Sequence, residues 1–244
     1  MTPHCFPPLL DKSALPARVL VFAPHPDDEV LGCGGMIAWH RRRGDALKVL
    51  QATDGAGGDP KGKFGNVAAL RRAEIAEALA VLGVREHESL DLPDGTLAEV
   101  PDLAERLRVR LEAFRPLLVY APSPLEAHAD HRALAGAVCA ALRGRSPLRV
   151  HWFGVNSPVV ANVLYDVTET MPAKLEAAAK FRSQIAYNDL VGKVTAVNRA
   201  ATVNVDLPEV LYVEPYTALP SGALEEVAGR IAALERSIAE AGAP

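Results

Sequence analysis

Short apolar runs alternate with longer stretches of helical period along the first two thirds of the chain. Val19-Leu20-Val21-Phe22-Ala23 is apolar at every position and reads as a buried strand. A helix follows from about Val30 to Arg42, stopped by Gly44 just past its end. Leu47-Lys48-Val49-Leu50-Gln51-Ala52 reads as a second strand, and Thr53 to Pro60 as loop. Val67, Leu70, Ile75, Ala78, Leu79 and Leu82 then fall on one helical face, closed by Gly83. Ser89-Leu90-Asp91-Leu92 is a third strand, followed by a turn at Pro93-Asp94-Gly95. Pro101 opens a helix carrying Leu103, Leu107, Leu111 and Phe114. Leu117-Leu118-Val119-Tyr120-Ala121 is a fourth strand, a helix follows from about His131 to Leu142, and Arg149 to Val155 is a fifth strand.

Near-continuous apolar strands alternating with helices predict an α/β fold, Rossmann-like, with a mostly parallel sheet covered by helices on both faces. The remainder reads as a C-terminal elaboration. It has a helix from about Pro172 to Ile185 and another from about Gly222 to Ala239, with irregular or strand-like pieces between. Leu224, Val227, Ile231, Leu234 and Ile238 form the stripe of the last helix, whose exposed face is a candidate for pairing in a homo-oligomer. With no internal repeat and no low-complexity linker, residues 1–244 are expected to form a single domain, with a core over about 15–157 and the elaboration over about 158–244.

Composition narrows the field. The 244 residues are 49% apolar and 23% charged, with a net charge of −4, as in an ordinary globular protein and unlike a general polyanion binder, so no nucleic-acid partner is expected. Arg41-Arg42-Arg43 reads as a solvated helix C-terminus, where cations offset the dipole. Cys5, Cys33 and Cys139 are widely spaced and form no CxxC pair, so neither a disulfide framework nor a thiolate zinc site is expected. The first residues lack a charged segment followed by an apolar one, and nothing approaches a membrane-spanning run; the expected location is cytoplasmic.

Two clusters carry candidate chemistry. Ala23-Pro24-His25-Pro26-Asp27-Asp28-Glu29 follows the first strand, and Glu126-Ala127-His128-Ala129-Asp130-His131 follows the fourth. Sites in open α/β sheets lie beyond the carboxyl ends of strands where strand order reverses, and in the order 3-2-1-4-5-6 strands 1 and 4 meet there. Imidazole with carboxylate and no thiolate suits Zn²⁺, or a non-haem metal held by two His and one carboxylate. A single Asp before a helix is ordinarily a cap, but two His/Asp clusters at two strand ends are poorly explained by capping. Gly32-Cys33-Gly34-Gly35 fails the dinucleotide fingerprint, because Ile37 stands where the third glycine belongs; close helix-to-sheet packing is the better reading. Neither a G-x-S-x-G elbow nor a P-loop is present.

His25-Pro26-Asp27-Asp28-Glu29 with His128-Ala129-Asp130-His131 resembles the paired signatures of the LmbE/PIG-L-like zinc-dependent N-acetylglucosaminyl deacetylases. The similarity continues through Thr53-Asp54-Gly55, Arg71-Arg72-Ala73-Glu74, Leu92-Pro93-Asp94-Gly95, Lys174 and Ser183-Gln184. The resemblance implies that His25, Asp28 and His131 ligate Zn²⁺ and that Asp27 is the general base. It also implies that His128 stabilises the oxyanion as a cation, that either Asp27 or His128 protonates the leaving amine, that Asp130 orients His128 and raises its pKa, and that Arg71 contacts substrate. Where some members carry a mobile tyrosine over the metal, this chain has Glu126. The implied substrate is an N-acetylglucosamine-type sugar or glycoconjugate. The alternatives are a zinc amidase for a non-sugar amide or thiol conjugate, and a nucleotide-binding α/β domain.

Overall fold

The computed structural model describes residues 6–145 and 148–223, together with Glu226, Gly229 and Ala233. The strands are β1 (Arg18–Ala23), β2 (Ala46–Thr53), β3 (Glu86–Leu92), β4 (Leu118–Pro122), β5 (Arg149–Phe153), β6 (Val163–Asp166) and β7 (Val213–Pro220). The α-helices are α1 (Asp28–Arg43), α2 (Val67–Val81), α3 (Leu103–Phe114), α4 (Ala129–Ala141), α5 (Met171–Ala178), α6 (Arg182–Ile185) and α7 (Leu190–Ala200). One sheet runs in the order β3-β2-β1-β4-β5-β7-β6. The first five strands pair in parallel, and β7 lies antiparallel to both β5 and β6.

Strand β1 explains why both faces must be covered. Val19 and Val21 enter one apolar cluster with Ile37 of α1 and Ile75 of α2. Leu20 and Phe22 enter another, with Leu107 and Leu111 of α3 and Leu134 and Val138 of α4. All four β1 side chains are fully buried, which an alternating polar pattern would forbid. Trp152 is buried in the second cluster, whereas Trp39 of α1 is only partly buried beneath the Arg43 guanidinium. Arg41, Arg42 and Arg43 do end α1, but they are tied down rather than merely solvated. Arg41 Nε donates to the Gly83 carbonyl, Arg42 Nη1 to the Glu169 carbonyl, and Arg43 Nε to the Asp45 carboxylate.

The glycines of α1 are where the helix meets its neighbours. A Cβ on Gly32 would lie 2.1 Å from the Phe153 ring, and one on Gly35 would lie 2.8 Å from Val167 Cβ. The helix departs from α geometry at Cys33 (φ −143°, ψ 21°), and the amides it frees are capped from across the fold. Glu214 Oε1 accepts from Gly35 N at 2.8 Å and Oε2 from Met36 N at 2.9 Å. Lys174 Nζ donates to Glu214 Oε1 at 2.7 Å, and the Tyr216 hydroxyl donates to Oε2 at 2.7 Å. Cys33 is a buried free thiol that donates to the Glu29 carbonyl, as its small size in a packed helix predicts.

The elaboration departs most from the sequence pattern. The helix expected over 172–185 is split into α5 and α6. The buried Glu74 carboxylate accepts from Ser183 N (2.8 Å) and Ser183 Oγ (2.6 Å), a cap that restarts the chain as α6. Helix α7, capped by Asp189, was not expected, because Val191, Val194, Thr195 and Val197 are β-branched and dilute the helical signal. Strands β6 and β7 were legible only as strand-like pieces. The stripe of the expected last helix, from Leu224 to Ile238, lies outside the described residues.

Candidate metal centre

Strands β1 and β4 are hydrogen-bonded neighbours, with Val19 opposite Leu118 and Val21 opposite Tyr120. Their carboxyl ends therefore deliver the two clusters to one crevice. The rings of His25 and His128 lie 4.8 Å apart, those of His25 and His131 5.3 Å, and those of His128 and His131 5.2 Å. They line a cavity of about 510 Å³ together with Asp27, Asp28, Arg71, Asp94, Gln184 and Tyr187.

Local structure fixes each side chain. Asp27 holds a φ of 137°, uncommon for a residue with a Cβ, at the point where β1's loop turns into α1. Although it occupies the N-cap position, its side chain makes no capping bond. Asp28 Oδ2 accepts from His25 N at 2.9 Å, closing the turn on itself. The same oxygen is 3.1 Å from His25 Nδ1 and 3.2 Å from His131 Nε2. Donor atoms around one tetrahedral ion with bonds of ~2.0–2.1 Å lie about 3.3 Å apart. Asp28 Oδ2 is thus spaced from one nitrogen of His25 and one of His131 as donors to a common ion are, and the donor chemistry suits a divalent cation such as zinc. His128 brings a further nitrogen, all three imidazoles offering atoms within 4.8 Å of one another.

Carboxylates surround the outer edges of these imidazoles. His25 Nε2 faces Asp94 Oδ1 at 3.0 Å and Asp130 Oδ2 at 3.2 Å. Such partners fix a ligating imidazole's tautomer and raise its basicity. His25, Asp94 and Asp130 form a second group of converging donors, but both Asp130 oxygens already accept backbone amides, from Gly95 and Leu97. His131 Nδ1 is buried without a hydrogen-bond partner, 3.8 Å from Glu126 Oε2. Glu126 is itself buried and accepts from the amides of Val155 and Asn156, so it ties the loop after β5 to the site.

The electrostatics follow from this crowding. Burial works against charge on His25, but Asp130, Asp28 and Asp94 outweigh it and push its pKa up to about 12. An imidazole enclosed by three carboxylates marks a place built for positive charge. Burial raises Asp28 as well, yet His131 and His25 prevail and hold it well below the carboxylate range. Burial raises Asp27 to about 7 against the opposing pull of Arg71. Glu29, buried beside it, rises to about 8 for the same reason.

Two of the expected residues meet a geometry the resemblance did not imply. Asp130 does not orient the His128 ring: its carboxylate turns to Gly95 N, Leu97 N and His25, while only its backbone amide donates to His128 Nδ1 at 3.2 Å. Asp130 does pull the pKa of His128 up, as expected, but burial first and then His25 and His131 outweigh it, and the net shift is downward. With Nδ1 accepting, the proton of the neutral ring sits on Nε2. Arg71 lines the cavity as expected, but its guanidinium is engaged in holding the site together. It donates to the Gly55 carbonyl at 3.0 Å and the Pro26 carbonyl at 2.6 Å, and pairs with Asp27 Oδ2 at 3.1 Å. Asp94 falls within the family resemblance, but its contact with His25 was not legible, because Pro-Asp-Gly reads first as a turn.

A His/Asp donor cluster at the switch point of an α/β sheet, beside a buried carboxylate titrating near neutrality, is the arrangement of a metallohydrolase. The chain belongs to the PIG-L family: the family pattern, GlcNAc-PI de-N-acetylase, matches residues 20–142. It is 30% identical over 189 residues to the diacetylchitobiose deacetylase of Thermococcus kodakarensis, covering 68% of this chain and 70% of that one. It is also 30% identical over 223 residues to a probable N-acetyl-alpha-D-glucosaminyl L-malate deacetylase 2 of Bacillus anthracis, covering 83% and 95%. The fold matches N,N'-diacetylchitobiose deacetylase from Pyrococcus horikoshii with a TM-score of 0.75 at 24% identity, over 85% of each chain. The chain is accordingly an N-deacetylase, a hydrolase of the linear amide bond. Among the described residues no helix is long and apolar enough to cross a membrane.

Proposed function

We propose that this enzyme uses Zn²⁺ to remove the N-acetyl group from an N-acetylglucosamine-type sugar or glycoconjugate, with His25, Asp28 and His131 as the ligands. The observation that carries the reading is the single Asp28 oxygen held 3.1 Å from His25 Nδ1 and 3.2 Å from His131 Nε2. When bound, Zn²⁺ supplies Lewis acidity, polarising the acetyl carbonyl and lowering the pKa of water to near 7. Asp27 takes the proton of the attacking water; a carboxylate whose pKa is raised to about 7 is matched to that task at neutral pH. Arg71 keeps Asp27 aimed at the cavity through its contact with Oδ2. His128 donates from Nε2 to the developing oxyanion as a neutral imidazole, its Nδ1 being occupied by the Asp130 amide. Asp130 and Asp94 serve His25, fixing the ring so that Nδ1 faces Asp28. Protonated Asp27 then returns its proton to the leaving amine.

Arg71, Asp94, Gln184 and Tyr187 line the cavity with a guanidinium, a carboxylate, an amide and a hydroxyl, polar groups of the kind that recognise a sugar. The relatives named for acetylated amino sugars support the same substrate class. The test is acetate release by the zinc-loaded protein from N-acetylglucosamine, N,N'-diacetylchitobiose and N-acetylglucosaminides, beside non-sugar acetamides. Turnover confined to the sugars is the expected result. Equal or better turnover of the non-sugar amides overturns the substrate assignment.

A further inference from the structure

A second cavity, of about 590 Å³, adjoins the metal centre. The two share Leu31, Val155 and Asn156 as lining residues. Apart from Ser157 and Asn198 the rest of the second is apolar, with Val159, Ala161, Leu164 and Val197 in its wall, and none of its described lining residues carries a charge. Its volume lies within the ~300–1,000 Å³ of ordinary ligand pockets. Val197 is 58% exposed, an apolar side chain left in water at the rim of an apolar cavity.

The boundary between the cavities is built, not incidental. Leu31 stands one helical turn after Asp28 on α1, so the face that brings Asp28 to the centre brings Leu31 to the boundary. Val155 and Asn156 are held by their amides on the buried Glu126 carboxylate, which also lies beside His131. An amide placed at the centre has two arms. The sugar arm, rich in hydroxyls, matches the wall of Arg71, Asp94, Gln184 and Tyr187. The acyl arm then points to the opposite wall, toward Leu31 and Val155, and the aliphatic cavity beyond.

We propose that this cavity is an acyl subsite, and that the enzyme removes N-acyl groups longer than acetyl from amino sugars. The proposal rests on the reading of the metal centre as an amidohydrolase site. In the reaction the C–N bond breaks, water supplies the hydroxyl of the released carboxylic acid, and the amine keeps the remaining proton.

The test compares N-acetyl-, N-butyryl-, N-hexanoyl- and N-octanoylglucosamine as substrates of the zinc-loaded enzyme. In parallel, calorimetry measures their binding to chelator-treated protein. The expected result is a gain in kcat/KM and in affinity from acetyl to hexanoyl, of up to about fourfold per added methylene. Ala161→Phe fills the cavity, and Val197→Trp obstructs it from an exposed position that tolerates substitution. Each removes the gain for the longer chains and leaves the acetyl substrate unchanged. A steady fall in both rate and affinity from acetyl onward overturns the proposal, as does a loss in the variants that is equal for acetyl and hexanoyl. If octyl N-acetylglucosaminide gains while the N-octanoyl sugar does not, and Val197→Trp abolishes that gain, the cavity serves the aglycone and the acyl assignment is wrong. Failure of every substrate, acetyl included, refutes the amidohydrolase reading, while the binding series still decides whether the cavity takes the acyl chain.

Discussion

Lys174→Met removes an ammonium that is fully buried against a fully buried carboxylate, Glu214, 2.7 Å away. Methionine keeps most of the aliphatic volume, and the packing of Lys174 Cγ and Cδ against Gly34 is therefore preserved. What is lost is the charge partner. Breaking a buried ion pair from one side costs about 3–5 kcal/mol, because the remaining charge is left uncompensated. Glu214 retains three donors, Gly35 N, Met36 N and the Tyr216 hydroxyl, which places the expected cost near the lower limit, about 3 kcal/mol. For a chain of this size that is a fall in Tm of about 6–12 °C. Adding Glu214→Gln removes the stranded charge but keeps a carbonyl oxygen for the α1 amides, so the double variant should recover part of the loss. Urea and thermal unfolding of the wild type and both variants measure this, with an unchanged m-value as the check on two-state comparison. A fall below about 2 °C for Lys174→Met, on the ~2–4 °C per kcal/mol scale, or a double variant less stable than the single one, refutes the reasoning.

The other predictions concern the site, the acid range and the packed helix. His131→Ala should lose zinc and activity together, whereas Asp27→Asn should keep zinc and lose about 10²–10⁴-fold in kcat; metal analysis beside acetate release separates the two roles. His151 is buried against the Tyr165 hydroxyl, and burial lowers its pKa from 6.5 to about 3. A depressed folded-state pKa gives stability that is full above 6.5 and is lost as pH falls toward 3. Relative to His151→Phe, the wild type should therefore lose about 2 kcal/mol between pH 6.5 and 5 in urea titrations, and a pH-independent difference would contradict the burial argument. Gly32→Ala places a Cβ 2.1 Å from Phe153 and should cost about 1–3 kcal/mol by overpacking, with Phe153→Leu in the same chain restoring part of it.

Much of the architecture was legible because the parallel strands are apolar on both faces. β1 and β4 could be read from the run of side chains alone, and their adjacency followed from the common α/β strand order. Both His/Asp clusters were legible for the same reason, each lying one loop beyond a readable strand. The C-terminal part was obscured by local chemistry: β-branched residues in α7, prolines at 215 and 220 in β7, and a cap for α6 supplied by Glu74 from α2. Within the site, identity was legible but orientation was not. Asp130 stands two residues from His128, yet two amides of the Pro93–Leu97 turn draw its carboxylate to His25, and no pattern in sequence encodes that competition. Arg71 likewise was legible as a cavity residue, but not the carbonyls of Gly55 and Pro26 that accept from its guanidinium and hold it there.

The central claim is that His25, Asp28 and His131 hold a zinc ion on which sugar deacetylation depends. The most direct measurement is zinc per chain together with acetate release from N,N'-diacetylchitobiose, before chelation, after it, and after zinc is restored. The account predicts about one zinc per chain on the three-ligand set, activity lost with the metal, and activity regained in proportion to the zinc rebound. Acetate release that persists in the fully chelated enzyme would contradict it, as would full zinc occupancy in His131→Ala.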